Sequence, residues 1–574
     1  MSSFRRASAL LLGIAVATSV LSAPAQSDPS PTTLALEGTV QVAVVDTFVD
    51  ADHGEGHDEH GHGDYLHAVV TADGTRVPVE LDDEVPAGAE FVGEVVVEDT
   101  VESVLDDRGL LPRVGSTIAE DSRAGRAAIS AAEKQTEPLT VASSSVTAPR
   151  PVTTTAVSSP IRAYVAIINN RGPGTVTSTQ ATSLVTAMGG YWKAESDNVL
   201  NGATIVGVKS YAAGSEVPTS DTTCGMAAPF PMWEKAAAQF PGVNFSSSRN
   251  HLIVLNTCRT DTGPAGVGTI GRNVDSGGLT AVSVGDGQVL VGAHELGHNF
   301  GLDHANRLRC VTANECYAGE YLNFYSVMGL ALGAFAPPAL DSAYRRRLGL
   351  DRPGEVRSVV APTRNLQLQP RGSSAGARAL QVIDPGSGVT YLVEWRSGTG
   401  RDAGASYRAL PFDTSVPPYV IRYRPGITVT TLNSDSTTWL FSTRVGNEIV
   451  TSLANGQTFV APGGRVRIKA TSSAGRVDVT VPLRRFSAPR PKIRGTVRVG
   501  KTLKVKVGAW NLRASYSYQW YANGKKIAKK GTRSSFKLTS RQKGKRITVR
   551  VTGRKAGYAP LTKTSARTAK VKKR

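Results

Sequence analysis

The chain of 574 residues has only four cysteines and nine histidines, and both are concentrated in short stretches. No cysteine precedes Cys224, which excludes a disulfide or a cysteine metal ligand in the first 223 residues. After the N-terminus there is no apolar run of the roughly 20 residues that a membrane-spanning helix needs. Residues 488–574 contain no aspartate or glutamate. These absences exclude a cysteine-rich scaffold and a multi-span membrane protein, and they separate a basic C-terminal part from the rest.

The cysteines form one group between residues 224 and 316. Four cysteines allow three pairings, and the sequence alone does not choose among them. Order and spacing favour a Cys224–Cys258 bond and a second bond between Cys310 and Cys316 across a short loop. Disulfides persist outside the reducing cytosol, so paired cysteines agree with an exported protein.

The first 25 residues have the pattern of a secretory signal peptide. Two arginines precede an apolar run over residues 7–21, and an A-x-A cleavage site follows at residues 23–25. The run is too short for a spanning helix, which disfavours an uncleaved membrane anchor. We expect residues 1–25 to be removed and the mature protein to be secreted, either extracellular or associated with the cell envelope.

The formal net charge of +19 is unevenly distributed. Residues 488–574 contain 27 lysines and arginines, and subtracting this charge from +19 leaves −8 for the first 487 residues. A module with this charge should attract polyanions in a salt-dependent way, although a basic surface without a ligand is the alternative. Anionic cell-envelope polymers are the expected partners, and nucleic acid is not, because the protein is predicted to be exported.

The chain predicts a multidomain protein. A β-rich N-terminal region at 26–135 is interpreted as a propeptide, and a Ser/Thr/Pro linker at 136–159 should be exposed and easily cut. Strands that alternate with helices over 160–353 predict an α/β (α+β) catalytic domain. Turn-rich strands at 354–484 predict a β-sandwich, and the strand alternation at 488–574 predicts a small β module.

Two local predictions within this scheme can be compared with the structure. In the α/β domain, a helix should begin near Thr177 and end before Gly189 and Gly190. In the N-terminal region, five histidines lie among acids and glycines between residues 53 and 67. This tract is interpreted as a mobile loop, with metal binding as the alternative, and its histidines are a candidate for a ligand that keeps the enzyme latent.

The stretch AHELGHNFGLDHAN at residues 293–306 contains three of the nine histidines. On a helix, His294 and His298 lie one turn apart on the same face, so their rings can bind one Zn²⁺. Gly301 can end the helix in a left-handed turn, which lets His304 approach the same ion from another side. Glu295 lies beside the first ligand, where it can act as general base towards a water, and one coordination position stays open. The pattern therefore predicts one catalytic zinc ion.

This extended motif resembles that of the metzincin metallopeptidases, and the segment FYSVMGLAL resembles their methionine turn, with Met328 beneath the zinc. The following residues, up to about 352, look like those of gametolysin-like secreted metzincins. The resemblance implies zinc held by His294, His298 and His304, with Glu295 as the general base. Leu330 lies where some metzincins have a tyrosine ligand, so no tyrosine ligand is expected. The pattern leaves calcium binding open.

The basic module at 488–574 resembles the Ig-like repeats of secreted actinobacterial proteins, with Trp510, Tyr518 and Trp520 expected in its core. The resemblances together imply a secreted zinc endopeptidase that acts on protein or peptide substrates. The alternative function is a catalytically inactive envelope-binding protein that uses the basic module. All three histidines and Glu295 are present, which favours the enzyme.

Overall fold

The structure is a computed structural model. It describes residues 31–46, 64–149, 159–169, 175–218, 221–258, 264–284, 288–312, 315–330, 335–409, 414–416, 419–445, 448–528 and 531–573. The predicted signal peptide and four of the five histidines in the predicted loop lie outside these residues. Within the described residues, no helix combines the length and apolar character needed to cross a membrane.

The N-terminal region is a layer of strands covered by two helices. Its elements are β1 (Thr33–Asp46), β2 (Asp64–Val70), β3 (Arg76–Val79), β4 (Glu90–Val96), α1 (Asp99–Asp107), β5 (Thr117–Ile118), α2 (Arg123–Ala132) and β6 (Val141–Thr147). The long strand β1 pairs with β4 and β5 near its start and with β2 further along. A separate apolar core, which includes Leu36, Phe91 and Ala128, lies between the strands and the helices.

Two sequence predictions for this region were wrong. Part of the predicted linker is strand β6, which pairs with β4 even though most of its side chains are exposed. Its backbone hydrogen bonds compensate for the lack of apolar side chains. His67 does not lie in a mobile loop: it is buried in β2, opposite Val42 of β1, and burial lowers its pKa.

The α/β domain follows, and its elements alternate as predicted. They are β7 (Ser159–Asn169), α3 (Ser178–Glu195), β8 (Leu200–Ala212), α4 (Pro229–Ala237), β9 (Asn250–Asn256), β10 (Gly266–Thr269), β11 (Gly278–Ser283), α5 (Gln288–Asn299), β12 (Ala305–Thr312), β13 (Glu315–Gly319) and α6 (Ser342–Arg347). Strands β7 to β11 join those of the N-terminal region in one 11-stranded sheet, in the order β3-β2-β1-β10-β11-β9-β7-β8 along its main path, whereas β12 and β13 belong to the 10-stranded sheet of the following region.

Helix α3 begins after its cap Thr177, as predicted, but it does not end before Gly189 and Gly190. It continues to Glu195 because Gly189 faces the sheet. A β-carbon on Gly189 would lie 2.6 Å from the β-carbon of Ala203, so the glycine permits close helix–sheet packing. Gly190 is exposed, and a β-carbon there would contact nothing within 4 Å.

The next region consists of two sheets packed around a shared core, in agreement with a sandwich-like architecture. Its elements are β14 (Val356–Val359), β15 (Thr363–Gln367), β16 (Ala379–Ile383), β17 (Thr390–Arg396), a 3-10 helix (Gly400–Asp402), α7 (Ser406–Ala409), β18 (Thr414–Val416), β19 (Tyr419–Arg422), β20 (Gly426–Leu432), β21 (Thr438–Val445), β22 (Glu448–Val450), β23 (Thr458–Val460), β24 (Arg467–Ser472) and β25 (Arg476–Thr480). The shared core includes Leu366, Tyr391 and Val477.

The boundary predicted at residue 353 does not separate two independent units. Strand β12 of the α/β domain pairs in parallel with β21 of the following region. Buried Arg345 of α6 also forms an ion pair with buried Glu355, which contacts Arg371 and Arg378 as well. Three guanidinium groups around one carboxylate therefore connect the two regions.

The basic C-terminal module has two small sheets. Its elements are β26 (Lys492–Arg494), β27 (Thr502–Lys506), β28 (Ser515–Ala522), β29 (Lys525–Lys526), β30 (Ser535–Lys537), a 3-10 helix (Ser540–Gln542), β31 (Ile547–Arg554) and β32 (Leu561–Thr564). Trp520 is at the centre of the core, and Tyr518 packs against it. The prediction for Trp510 was wrong: its ring is half-buried and contacts Phe486, before the module, at 5.4 Å between centroids.

Candidate metal centre

Helix α5 presents His294 and His298 on one face, and both side chains are fully buried. Nδ1 of His294 lies 3.0 Å from the carbonyl oxygen of Val327, and Nδ1 of His298 lies 2.9 Å from that of Leu302. A carbonyl oxygen can only accept, so each Nδ1 donates and each Nε2 carries a lone pair. The two Nε2 atoms are 3.1 Å apart. Their lone pairs thus point into the same small space.

Gly301 and the turn after it bring His304 to this space. Gly301 has φ 86°, which is the left-handed conformation that the sequence predicted for the end of the helix. His304 is also fully buried, and its Nδ1 lies 2.6 Å from Oε1 of Glu320. The ring of Tyr321 lies over the imidazole of His304, with 4.1 Å between centroids. His304 is therefore held by a carboxylate on one side and an aromatic ring on another.

A fourth group, which the sequence analysis did not include, completes the cluster. Asp46 is the last residue of β1, and its carboxylate is fully buried. Oδ2 lies 3.1 Å from Nε2 of His294 and 3.5 Å from that of His298, while Oδ1 lies 2.9 Å from Nε2 of His304. The hydroxyl of Tyr321 donates to the same Oδ1 at 3.0 Å. The N-terminal region thus supplies a carboxylate to the centre of the three histidines.

The donor set fits a zinc ion. The four ligand atoms lie within 4.8 Å of one another. A tetrahedral zinc ion with bonds of about 2.0 to 2.1 Å holds its ligand atoms about 3.3 Å apart, close to the separations seen here. Oδ2 of Asp46 forms no hydrogen bond and faces imidazole lone pairs, an arrangement that a cation would stabilise. Three imidazoles, each oriented through its other ring nitrogen, are typical of a catalytic zinc site.

Glu295 lies next to this cluster in a space that two glycines leave open. A β-carbon on Gly266 of β10 would lie 2.0 Å from Oε1 of Glu295, and one on Gly268 would lie 2.9 Å from Oε2. The carboxylate is fully buried, and no donor among the described residues reaches its oxygens, while the carboxylate of Asp46 lies within hydrogen-bonding reach of a protonated Glu295. Burial and the nearby charge of Asp46 raise the pKa of Glu295 well above its usual value.

The other pKa shifts show how the buried charges of the centre depend on one another. Burial opposes the charge on Asp46, but protons on Nε2 of His294 and His298 would outweigh it and hold the pKa of Asp46 well below its usual value. Burial also opposes a charged His304, but its hydrogen bonds to Asp46 and Glu320 raise its pKa to about 10. A proton on His304 thus offsets one of the two carboxylate charges beside it, and a divalent cation bound by the histidines would replace that proton.

The predicted methionine turn lies under the cluster. Met328 is fully buried, and a β-carbon on Gly297 of α5 would lie 2.3 Å from its sulfur, so the glycine lets the thioether pack against the helix. Val327, one residue earlier, supplies the carbonyl oxygen that orients His294. Ser326 donates to Asp341 at 2.7 Å, which ties the turn to the N-cap of α6. The turn therefore fixes the ring orientation of His294 through its backbone.

Of the cysteine predictions, the structure contains the Cys224–Cys258 disulfide. It joins the segment before α4 to the residues that follow β9. Cys310 and Cys316 are directly opposite each other in the β12–β13 pairing, but their side chains lie outside the described residues, so that pairing stays a prediction.

The residues that sequence analysis missed are Asp46, Glu320 and Tyr321. Asp46 is 258 residues from His304 in the chain, and an aspartate at the end of an apolar strand is too common to indicate a ligand. Tyr321 lies before the methionine turn, whereas the expected position for a tyrosine lies after it. No local pattern marks either residue, because only the sheet brings them to the histidines.

A comparison with protein families agrees with this geometry. Residues 215–305 match the model of the metallopeptidase family M12B, reprolysin-like. The match covers α4, β9 to β11 and α5, so it includes all three histidines. No curated protein matches the chain significantly. The match and the cluster of metal-binding side chains support a domain similar to those of metallopeptidases, whose substrates are proteins or peptides.

Proposed function

We propose that the protein is a secreted zinc endopeptidase in which His294, His298 and His304 bind the metal and Glu295 is the general base. The observation that carries the proposal is the convergence of three imidazole Nε2 atoms next to the buried carboxylate of Glu295. The M12B match supports the reaction class. The gametolysin-like branch, suggested by the sequence around Met328, remains part of the proposal.

The chain's own groups supply the proton transfer. Zinc contributes Lewis acidity, which lowers the pKa of water from about 16 towards 7 and polarises a carbonyl group. Glu295 accepts the proton of the attacking water and delivers it to the leaving amine. Glu295 is the residue directly after His294 on α5, so its carboxylate lies next to the metal ligands, where it can hold the proton between the two steps. Glycines at 266 and 268 provide the space that the carboxylate occupies.

Tyr321 is suited to stabilise the negative charge that develops on the scissile carbonyl oxygen. Its hydroxyl already donates to a carboxylate oxygen at the centre of the histidines. Burial and the charges of Asp46 and Glu320 keep the pKa of Tyr321 well above its usual value, so the phenol stays a donor. Tyr321 would have this role once a substrate oxygen occupies the position that Oδ1 of Asp46 holds in the structure.

The test compares the wild type with Glu295→Gln, before and after limited proteolysis, at equal zinc content measured by atomic absorption. Casein cleavage by the treated wild type and its loss in the variant would support the proposal. A variant that cleaves as fast as the wild type would exclude Glu295 as the base. An inactive wild type with bound zinc and a correctly cut N-terminal region would favour the alternative of an inactive binding protein.

The basic module carries a second proposal, that it retains the protein at anionic polymers of the cell envelope. Its support is the charge of +27 without a single acidic residue in residues 488–574. Binding of the full chain to a polyphosphate column should weaken steeply with salt. Elution at the same salt concentration after removal of residues 488–574 would contradict this role.

A further inference from the structure

We infer that Asp46 is a built-in fourth ligand of the metal and that β1 keeps the enzyme latent until the N-terminal region is removed. The inference rests on the proposed function, since it places Asp46 in the coordination position at the metal that a water and a substrate would need. Oδ1 and Oδ2 of Asp46 lie 2.9 to 3.5 Å from the three imidazole nitrogens. No sequence pattern suggested this residue, and no cysteine is present in the region to do the same.

The strand that carries Asp46 also covers the edge of the catalytic sheet. Residues 43–46 of β1 pair antiparallel with Gly266–Thr269 of β10. Two further backbone hydrogen bonds extend the pairing at its ends. The amide of Ala265 donates to the carbonyl oxygen of Asp46, and the amide of Ile270 donates to the carbonyl oxygen of Val42. Among the strands that the structure describes between residues 159 and 319, only β11 pairs with β10, and β1 occupies the other edge of β10.

An open strand edge beside a catalytic centre is a place where an extended peptide can bind through its backbone. Glu295 packs against Gly266 and Gly268 of this same strand. A substrate that paired with β10 would therefore pass next to the general base and the histidines. Strand β1 fills this place with the protein's own chain and directs a carboxylate, instead of a scissile peptide bond, at the metal ligands.

The N-terminal region has a core of its own, which includes Leu36 and Phe91 and is separate from the core behind the histidines. Small side chains of β1 and β2, at Ala43, Val45 and Ala68, also pack into an apolar cluster of the α/β domain, so release of the region would expose that cluster. Polar contacts, such as the hydrogen bonds from Tyr65 to Asp303 at 3.0 Å, add to this contact. Residues 150–158 are the covalent connection to β7, so a cut there would permit release.

The burial of the centre agrees with a latent state. His294, Glu295, His298 and His304 each have 0% of their surface exposed while Asp46 is in place. A peptide cannot reach side chains that are closed on all sides. The carboxylate must leave before Glu295 can act on a water. Asp46 also anchors the end of β1 at the metal ligands, so its removal lets residues 43–46 separate from β10 and a peptide take their place.

The experiment uses the full mature chain, uncut, as wild type, Asp46→Ala, Asp46→Asn and the control Glu37→Ala. Glu37 is an exposed acid on the same strand, distant from the histidines. Each protein is loaded with Co²⁺ for its visible absorption spectrum and, separately, with Zn²⁺ for cleavage of a casein-derived peptide. Mass spectrometry verifies that the chains remain uncut.

We expect both Asp46 variants to bind one Co²⁺ with a spectrum shifted from that of the wild type, and the control to match the wild type. With zinc, the uncut Asp46 variants should cleave the peptide at least tenfold faster than the uncut wild type and Glu37→Ala. Identical spectra in all four proteins would overturn the ligand assignment. An uncut wild type as active as Asp46→Ala would overturn the latency.

The remaining outcomes separate this inference from the proposed function. If the spectra shift but no Asp46 variant and no proteolysed wild type cleaves any peptide, Asp46 is a ligand but the protein is not a peptidase. If both Asp46 variants lose the metal, Asp46 is a permanent structural ligand, and the latency is overturned. Asp46→Asn keeps the shape of the side chain, so a folding defect limited to the alanine variant does not decide the result.

Discussion

Gly266 of β10 lies directly against the carboxylate of Glu295. A β-carbon at this glycine would be 2.0 Å from Oε1, so Gly266→Ala must push the carboxylate away from the metal ligands. We expect the variant to keep its zinc and to lose about 10² to 10⁴ in peptide cleavage, the range for loss of a general base. Zinc content and kcat after removal of the N-terminal region are the measurements. Unchanged kcat would show that Glu295 acts from another position.

Substitution of two neighbouring glycines in α3 should have opposite effects on stability. Gly189→Ala places a methyl group 2.6 Å from Ala203 and should lower the free energy of unfolding by about 1 to 3 kcal/mol. Gly190→Ala adds a methyl group in open space on the same helix and should raise it by about 0.5 to 1 kcal/mol. Urea unfolding of both variants measures the difference. Equal effects of the two substitutions on stability would mean that α3 and the sheet are not in close contact at Gly189.

Tyr321→Phe should lower kcat by about 10²-fold with little change in KM, since the lost donor acts on charge that develops in the transition state. Tyr325→Phe is the control, because its hydroxyl donates to the carbonyl oxygen of Arg424 at 2.8 Å, away from the metal centre. That variant should lose about 0.5 to 1.5 kcal/mol of stability and keep its kcat. Equal kcat values for the wild type and Tyr321→Phe would remove the tyrosine from the mechanism.

Because His251 is buried, we expect the folded protein to lose stability in acid. The imidazole is fully buried, and its Nδ1 lies 2.9 Å from Oδ1 of Asn299. Burial lowers the pKa of His251 from 6.5 to about 4. The unfolded chain therefore binds a proton before the folded one, so this contribution to stability is complete above pH 6.5 and is lost as pH falls towards 4.

The measurement is the free energy of unfolding between pH 7.5 and pH 4.5, compared with His251→Gln. The part due to this group is at most about 3 kcal/mol. The variant starts from a lower stability but should lose less between the two pH values. Parallel curves for the two proteins would show that the ring is accessible to protons in the folded state.

Glu355 lies among three buried arginines, and it should matter more for stability than an exposed acid. Burial opposes its charge, but Arg371, Arg345 and Arg378 outweigh this and hold the pKa of Glu355 far below its usual value. Glu355→Gln leaves these cations without their shared partner and should cost about 3 to 5 kcal/mol.

The control for this prediction is Glu448→Gln, which removes the partly exposed pair with Arg422 and should cost less than about 1 kcal/mol. Thermal unfolding of both variants gives the comparison. Similar losses of stability in Glu355→Gln and Glu448→Gln would mean that water, instead of Glu355, compensates the charges of the three arginines.

The sequence by itself determined the metal-binding motif, because its spacing is local. Two histidines one helical turn apart and a glycine-permitted turn lead to His304 without reference to the rest of the fold. The alternation of strands and helices likewise predicted the α/β domain. The prediction for the end of α3 failed because the contact of Gly189 with Ala203 depends on how the helix packs on the sheet.

Only the tertiary structure brought Asp46 and Tyr321 to the histidines. Their positions follow from strand pairing, in which β1 joins β10 across more than two hundred residues of chain. Backbone hydrogen bonds set this register and carry no side-chain pattern that a sequence could reveal. Backbone pairing also explains strand β6 in the predicted linker. Its polar side chains indicated an unfolded segment, but its backbone forms hydrogen bonds with β4.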